Sequence, residues 1–148
     1  MSATLRPATA ADSGLLFRWV NMPDSRAGKL MTQGAIGLDE HSVWFTQRLA
    51  DPSCRLWIIM ADGEPRGQLR MTSRLEGWEI DIYVASDARR RHLAGEALLQ
   101  GIGLLRNDIP DVPVIARVKR ENVASRKLFK SVGFRLARET NDHLIFTF

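Results

Sequence analysis

Residues 77–105 read GWEIDIYVASDARRRHLAGEALLQGIGLL. The first nine of them alternate between apolar and polar side chains, and this period of two predicts a β-strand over residues 77–85. Small and apolar residues from about Leu93 to Leu105 predict a helix. The basic run Arg89–His92 lies between these two elements. A strand that leads through basic residues directly into a helix is therefore the central joint of a predicted α/β domain.

The start of this helix has the properties of an anion site. The first N–H groups of a helix have no carbonyl partner within it, and its N-terminus carries a positive partial charge. Ala94, Gly95 and Ala97 are small enough to let phosphate oxygens approach the backbone, and the neighbouring arginines add charge. This combination suits a pyrophosphate. A solvated basic surface is the alternative interpretation of any single arginine here.

Patterns on either side predict the remaining elements. Asp12–Ser13 begins a helix that ends before Pro23, and Asp39 is the expected N-cap of a second helix that ends near Pro52. Residues 24–37 show no period and are expected to form a loop. Asn122 is the expected N-cap of the last helix, at 122–130, and Gly133 is expected to end that helix in the left-handed conformation. Strands are predicted at 3–7, 54–60, 67–72, 112–118, 134–139 and 143–148.

Bulk properties predict one domain, residues 1–148, with no membrane span and no secretory signal. A single cysteine, Cys54, fits a reducing compartment, so a cytoplasmic location is expected. The formal charge of +4 raises the possibility of nucleic-acid binding. Much of that excess lies in two compact clusters without interleaved aromatic residues, which favours a phosphate-bearing small molecule over nucleic acid.

Two motifs follow one another along the chain, RRHLAG at 90–95 and NVASRKLFKSVGF at 122–134. Together they resemble motifs of the GNAT superfamily of N-acetyltransferases. The segment RRHLAG at 90–95 is similar to the signature Arg/Gln-x-x-Gly-x-Gly/Ala, with Leu93 in place of the first glycine. The segment NVASRKLFKSVGF at 122–134 is similar to a second family element. Further segments resemble the subgroup that acetylates nucleotide-linked amino sugars, as in pseudaminic acid biosynthesis: LRPA at 5–8, WVN at 19–21, EHSVWF at 40–45 and GEPRGQ at 63–68.

The resemblance implies a mixed, mostly antiparallel sheet of about seven strands with four flanking helices. It also implies transfer of acetyl from acetyl-CoA to a primary amine of a small molecule by direct attack, without a metal ion. The expected pantetheine contacts are the backbone amides of Tyr83 and Val84, where the fourth strand splays from the fifth. The remaining expected cofactor residues are Arg90, Arg91, His92, Leu93, Ala94, Gly95, Glu96, Asn122, Ser125 and Phe129.

Glu79 is the expected general base, because family members often carry a catalytic glutamate at this position of the fourth strand. Asp81 lies two residues further on and therefore points to the same face, where it binds the acceptor or shares the proton. The alternative is that both carboxylates are merely exposed on an amphipathic strand. The general acid stays open, because Phe129 replaces the usual tyrosine and cannot donate a proton. Either the thiolate leaves without a dedicated acid or another group serves, with His143 and Ser125 as unranked candidates. Tyr83, the only tyrosine, is expected to pack in the core.

His41 and Trp44 lie at i and i+3 of the second helix and are expected to face the acceptor cleft. Packing in the core is the alternative for Trp44, and a satisfied neighbour of the core for His41. Asn21 and Arg26 belong to the region that shapes the acceptor site in the family, and Arg26 is a candidate for a nucleotide phosphate or a solvated loop charge.

Three other functions compete with this one. A non-catalytic acyl-CoA-binding module would fit the missing glycine and tyrosine, and an acetyltransferase of peptide N-termini or antibiotics would share the same fold. A nucleic-acid-associated protein would fit the high isoelectric point. The chain is expected to be a monomer or a homodimer, because the final hairpin offers an edge for pairing.

Overall fold

The computed structural model describes residues 2–22, 37–85 and 92–148. A short 3₁₀ turn, Ala10–Asp12, precedes the first helix. The helices are α1 Ser13–Val20, α2 Leu38–Ala50, α3 Leu93–Asp108 and α4 Val123–Val132. The strands are β1 Thr4–Pro7, β2 Cys54–Ala61, β3 Glu64–Arg74, β4 Gly77–Val84, β5 Val114–Lys119, β6 Arg135–Glu139 and β7 His143–Thr147. None of the described helices is long and apolar enough to cross a membrane.

The strands form one sheet in the order β1-β2-β3-β4-β5-β7-β6. All neighbouring pairs are antiparallel except β4 and β5, which are parallel and are joined through α3. A parallel pair needs such a crossover, whereas the antiparallel pairs β2–β3, β3–β4 and β6–β7 are joined by short turns. The predicted fold is confirmed: the described residues form a mixed, mostly antiparallel sheet of seven strands with four helices.

The sheet opens in its middle. β4 and β5 pair only at Trp78 with Val114 and at Glu79 with Ile115, near the beginning of each strand. Beyond these two pairs the described residues of β4 and β5 share no further ladder position, while β5 continues to pair with β7. Because the two strands are parallel, the gap widens toward their carboxyl ends. The expected divergence of the fourth and fifth strands is confirmed.

Alternation along β4 gives its two faces different surroundings. Trp78, Ile80 and Val84 belong to the main core, which α3 and α4 cover with buried side chains such as Leu98 and Phe129. The opposite face of the sheet carries α1 and α2, packed through a smaller cluster: Leu16, Phe45, Leu56 and Ile58. Glu79, Asp81 and Tyr83 therefore point away from the main core.

Several element boundaries differ from those predicted. Gly37 rather than Asp39 is the N-cap of α2, and Asp39 lies within the first turn, where a carboxylate favours the helix dipole. Asp62 and Gly63 both have positive φ values, 53° and 76°, and complete a two-residue turn. β3 therefore begins at Glu64, three residues earlier than predicted. Gly133 has φ 117° and caps α4 as predicted.

Candidate active site

The open end of the gap lies next to the beginning of α3. His92 is the N-cap of this helix, in the left-handed conformation with φ 59°, and its side chain is exposed. The Glu96 amide donates to the His92 carbonyl at 3.2 Å, so the helical ladder starts there. Helix geometry leaves the amides of residues 93–95 without an intrahelical acceptor. Leu93 is fully buried as a whole residue, whereas Ala94 and Gly95 are half-buried, so these two residues present the accessible backbone of the helix start. Arg90 and Arg91 lie outside the described residues.

Three residues separate the end of β5 from the beginning of α4, at the carboxyl ends of the parallel strands. Asn122 is its N-cap, as predicted, and its Oδ1 accepts a hydrogen bond from the Ser125 amide at 3.1 Å. Both residues are half-buried. Phe129 is 4% exposed, with its ring centroid 5.1 Å from that of Phe134. The structure thus accounts for Phe129 by packing in the core.

Glu79 and Asp81 lie on the same face, as predicted, but they are held differently. Asp81 Oδ2 accepts a hydrogen bond of 2.7 Å from Arg70 Nη2 on the neighbouring strand β3. Glu79 Oε1 lies 3.7 Å from Arg117 Nε and 3.8 Å from Arg74 Nε, distances of ion pairs without a hydrogen bond. Both carboxylates are about one quarter exposed, at 26% and 25%. They are therefore partly enclosed by arginines rather than projecting freely into water.

Tyr83 continues the same face of β4 toward the open end of the gap. It is buried, and its ring centroid lies 5.8 Å from that of Trp19 on α1. Asn21 is the C-cap of α1, where its Nδ2 donates to the Phe17 carbonyl at 3.4 Å. Tyr83 is thus enclosed by α1, and Asn21 lies at the end of that helix. Arg26 lies outside the described residues.

α2 contributes an aromatic group that reaches the sheet. The ring centroids of His41 and Trp44 are 5.7 Å apart, which confirms that they share a face. Arg70 Cζ lies 5.0 Å from the centre of the Trp44 ring. Trp44, Arg70 and Asp81 therefore form a continuous connection from α2 to β4.

His41 is more deeply enclosed than its neighbour. It is 2% exposed, among the rings of Phe17, Trp44 and Phe45. Its Nδ1 is buried and has no hydrogen-bond partner within the described part of the chain. Burial lowers the pKa of the His41 imidazole, because the charged form loses hydration. His41 is therefore a neutral residue of the aromatic cluster, with one ring nitrogen that has no partner among the described residues.

The arginines of this site were not singled out from the sequence. Reading Leu75 and Glu76 as a two-residue turn would have paired Arg74 with Gly77, and the same register places Arg70 opposite Asp81. No comparable local signal exists for Arg117, because its position depends on a parallel crossover pairing. Its Nη1 lies 3.0 Å from Nε2 of His143, the first residue of β7.

The described residues contain no group of three or more histidines, cysteines, aspartates and glutamates that could hold a metal ion. Their polar side chains instead form an acidic pair enclosed by arginines, beside a gap in the sheet and a helix N-terminus.

This geometry coincides with a match over most of the chain. The family model described as "Acetyltransferase (GNAT) domain" matches residues 3–135, a range that includes the diverging strands and the start of α3. The chain belongs to the GNAT acetyltransferase family. It is therefore an enzyme, an acetyltransferase.

Solved structures share the fold of this GNAT acetyltransferase at low sequence identity. A domain from Methanocaldococcus jannaschii DSM 2661 superposes with a TM-score of 0.86 at 21% identity, covering 99% of this chain and 97% of that one. The aminoglycoside acetyltransferase AAC(6')-Ib, in complex with ribostamycin and coenzyme A, gives 0.86 at 20% identity and coverages of 99% and 93%. Spermidine N-acetyltransferase from Vibrio cholerae, in complex with CoA and spermine, gives 0.82 at 13% identity and coverages of 98% and 92%. No curated protein sequence matches significantly.

Proposed function

We propose that this GNAT acetyltransferase transfers the acetyl group of acetyl-CoA to a primary amine of a small molecule. The observation that carries the proposal is the gap between β4 and β5 beyond Glu79, which opens beside the N-terminus of α3. An extended pantetheine arm fits along the inner edge of β4, where the amide of Val84 would bond it. The expected bond from Tyr83 would require its amide to turn away from β3, the side to which the Ala85 amide donates. The structures of AAC(6')-Ib and spermidine N-acetyltransferase, both in complexes that include CoA, support this cofactor.

The first turn of α3 would receive the pyrophosphate of CoA. The amides of residues 93–95 point out of the helix, and its dipole favours an anion at that position. Arg90 and Arg91 would add positive charge, His92 would present its exposed side chain to the phosphates, and Glu96 would lie at the border of the phosphate site. Asn122, Ser125 and Phe129, on α4, are proposed to adjoin the cofactor from the β5 side, with Phe129 acting through packing.

The reaction would be a direct transfer. The neutral amine nitrogen attacks the thioester carbonyl, a C–N bond forms, the C–S bond breaks, and CoA leaves as a thiolate. The proton of the amine passes to a base, either directly or through a water molecule. Holding the donor and the acceptor side by side supplies much of the rate acceleration, because it removes the entropy cost of their encounter.

Glu79 is the preferred base of the two carboxylates. Asp81 already accepts a hydrogen bond of 2.7 Å from Arg70, so one of its oxygens is engaged. The contacts of Glu79 with Arg74 and Arg117 are longer than hydrogen bonds, which leaves its carboxylate able to accept a proton. Asp81 would then bind the acceptor side together with Trp44 and Arg70.

A nucleotide-linked amino sugar is the proposed acceptor, and the charges on this face support it. Strand alternation and register place Arg70, Arg74, Arg117 and Lys119 on the same face of the sheet as Glu79 and Asp81. Such an excess of positive charge favours a substrate with phosphate groups over a polycation. Trp44 would offer a ring surface for a sugar or a base, the buried His41 would support the Trp44 ring from behind, and Asn21 and Arg26 would border the same cleft.

The test is CoA thiol release from acetyl-CoA with a panel of amines: UDP-linked 4-amino sugars, spermidine, kanamycin and a short peptide. The wild-type enzyme is expected to turn over the amino sugar. Glu79→Gln should lower kcat by about 10²- to 10⁴-fold, the usual contribution of a general base. Asp81→Asn is the matched variant and should act mainly on the KM of the acceptor.

Each other outcome has a distinct meaning. Turnover of spermidine, kanamycin or the peptide alone would overturn the amino-sugar acceptor and keep the reaction. Thermal stabilisation by acetyl-CoA without any turnover would favour a non-catalytic acyl-CoA-binding module, because a ligand that binds the native state raises its stability.

A further inference from the structure

Arg117 contacts a residue on each of the two strands that flank β5. Its Nε lies 3.7 Å from Glu79 Oε1 on β4, and its Nη1 lies 3.0 Å from His143 Nε2 on β7. All three side chains are partly buried on the face of the sheet opposite the main core. The guanidinium is therefore held between an acid and an imidazole.

The bond to His143 specifies the form of that imidazole. Arginine has only donor groups and stays protonated, so Nε2 of His143 must accept. The contact thus requires a neutral histidine with its proton on Nδ1. Thr140 holds His143 in turn: the His143 amide donates to Thr140 Oγ1 at 3.1 Å, and the Thr140 amide donates to the His143 carbonyl at 2.9 Å. The contacts that lead from Glu79 through Arg117 to His143 therefore end at a hydrogen-bonded turn.

The position of Glu79 needs such an anchor because of where the sheet opens. Glu79 occupies the last position at which β4 pairs with β5. Beyond it, no described ladder position fixes the distance between these two strands. A planar guanidinium that extends from β5 to the carboxylate on β4 spans the beginning of the gap, and its rigid geometry suits this role better than a lysine would.

We infer that Arg117 is a positioning residue that holds the Glu79 carboxylate toward the acceptor amine, and that neutral His143 orients Arg117. This inference rests on the proposed function, in which Glu79 is the base. Arg74 approaches the same oxygen of Glu79 at 3.8 Å, but its side chain is 57% exposed and is thus less constrained. Arg117 is therefore the arginine that fixes the geometry.

The experiment compares four variants by steady-state kinetics, at saturating concentrations of both substrates and across pH. Arg117→Met should lower kcat by about 10- to 100-fold, as expected for a misplaced catalytic group, while the KM of acetyl-CoA stays within about twofold. Arg117→Lys should restore part of the lost rate, because a lysine reaches one of the two partners but not both. His143→Leu should lower kcat, whereas His143→Gln should retain it, because the glutamine oxygen is able to accept from Arg117.

Arg138→Met is the matched control. Arg138 Nη2, on the edge strand β6, lies 2.9 and 2.8 Å from the two carboxylate oxygens of Glu76, and the arginines that approach Glu79 are Arg74 and Arg117 instead. Arg138→Met should leave kcat and the pH profile unchanged. Thermal melting of every variant identifies one that fails to fold, in which case the comparison of His143→Leu with His143→Gln decides the result.

Two results would overturn the inference and remain distinguishable. Turnover that is lost in Glu79→Gln but unchanged in Arg117→Met would refute the positioning role and leave the proposed function intact. Equal rates in Glu79→Gln and in the wild type would refute the base, and the positioning role with it.

Discussion

Arg70 donates from Nη2 to Asp81 Oδ2 at 2.7 Å, across the antiparallel pair of β3 and β4. The same guanidinium lies over the Trp44 ring, with Cζ 5.0 Å from the ring centre. One side chain thus joins helix α2 to the strand that carries the acid pair. The distance between α2 and this strand is set by a polar contact as well as by the apolar cluster beneath the helix.

Replacing Arg70 should affect acceptor binding more than protein stability. Arg70→Met removes the hydrogen bond to Asp81 and the contact with Trp44, so we expect the KM of the acceptor to rise about tenfold, from the loss of about 1.4 kcal/mol of binding. Thermal stability should change little, because a partly exposed ion pair contributes on the order of 0–1 kcal/mol.

Arg55→Met is the matched control for this prediction. Arg55 forms an ion pair of the same length, 2.7 Å, with Asp108, and its Cζ lies 5.7 Å from the centre of the Trp78 ring. This pair lies on the other face of the sheet, so both KM values should match those of the wild type. An acceptor KM that rises equally in both variants would contradict the prediction.

Gly101 is required where α3 meets the sheet. A Cβ atom built at this residue would lie 2.5 Å from Leu69 Cδ2 and 3.1 Å from Met71 Cε, and both of these side chains are fully buried. Gly101→Ala should therefore destabilise the protein by about 1–3 kcal/mol in urea unfolding, the usual cost of overpacking.

Gly103 provides the opposite case in the same helix. Nothing lies within 4 Å of a Cβ atom at this position. Gly103→Ala should stabilise the protein by about 0.5–1 kcal/mol, because alanine has less backbone freedom to lose in a helix. If both variants shifted stability in the same direction, close packing at Gly101 would not be the reason.

Asp12 should make the protein less stable at acidic pH. Arg6 donates two hydrogen bonds to Asp12, at 2.9 and 2.8 Å, and these bonds lower the pKa of this buried carboxyl. The contribution is complete above the unfolded pKa of about 3.9 and is lost as the pH falls through the lower native pKa. Asp12→Asn should remove this part of the acid sensitivity in urea unfolding from pH 2 to pH 6, and Asp62→Asn, in an exposed turn, should not.

His41 should add a second component near neutral pH. Burial lowers its pKa, so the native state resists protonation while the unfolded chain accepts a proton at about pH 6.5. The stability that His41 contributes is present above that pH and is lost as the pH falls toward the native pKa. His41→Phe should flatten the stability curve between about pH 5 and pH 7. An identical slope in His41→Phe and in the wild type would show that His41 does not titrate in this range.

The element order and the site face were predictable from local patterns. Alternation over 77–85 placed Glu79 and Asp81 on one side of a strand, and the Asn122 cap and the left-handed Gly133 followed from helix chemistry. The N-cap of α2 was predicted at Asp39 instead of Gly37, because an aspartate is equally suited to the N-cap and to the first turn of a helix.

The arginine partners were less accessible to sequence reasoning, for a physical reason. A short turn fixes the register of an antiparallel pair, so the contact between Arg70 and Asp81 was available in principle. Parallel register depends on a crossover helix and on packing of the whole core, so nothing near Arg117 indicates Glu79 as its neighbour. The burial of His41 depends on three aromatic rings from two helices, and their approach is likewise set by tertiary packing.

The divergence of β4 and β5 gives the molecule internal strand edges as well as outer ones. A strand edge binds an extended ligand through hydrogen bonds of its main-chain N–H and C=O groups, so the identity of the side chains matters little to this binding. Substitutions along these strands are therefore tolerated as long as the strands and their spacing persist. If a ligand is held by the strand edges in this way, evolution is free to change the side chains on the sheet face that carries Glu79 and Asp81. Those side chains would then determine which acceptor is used.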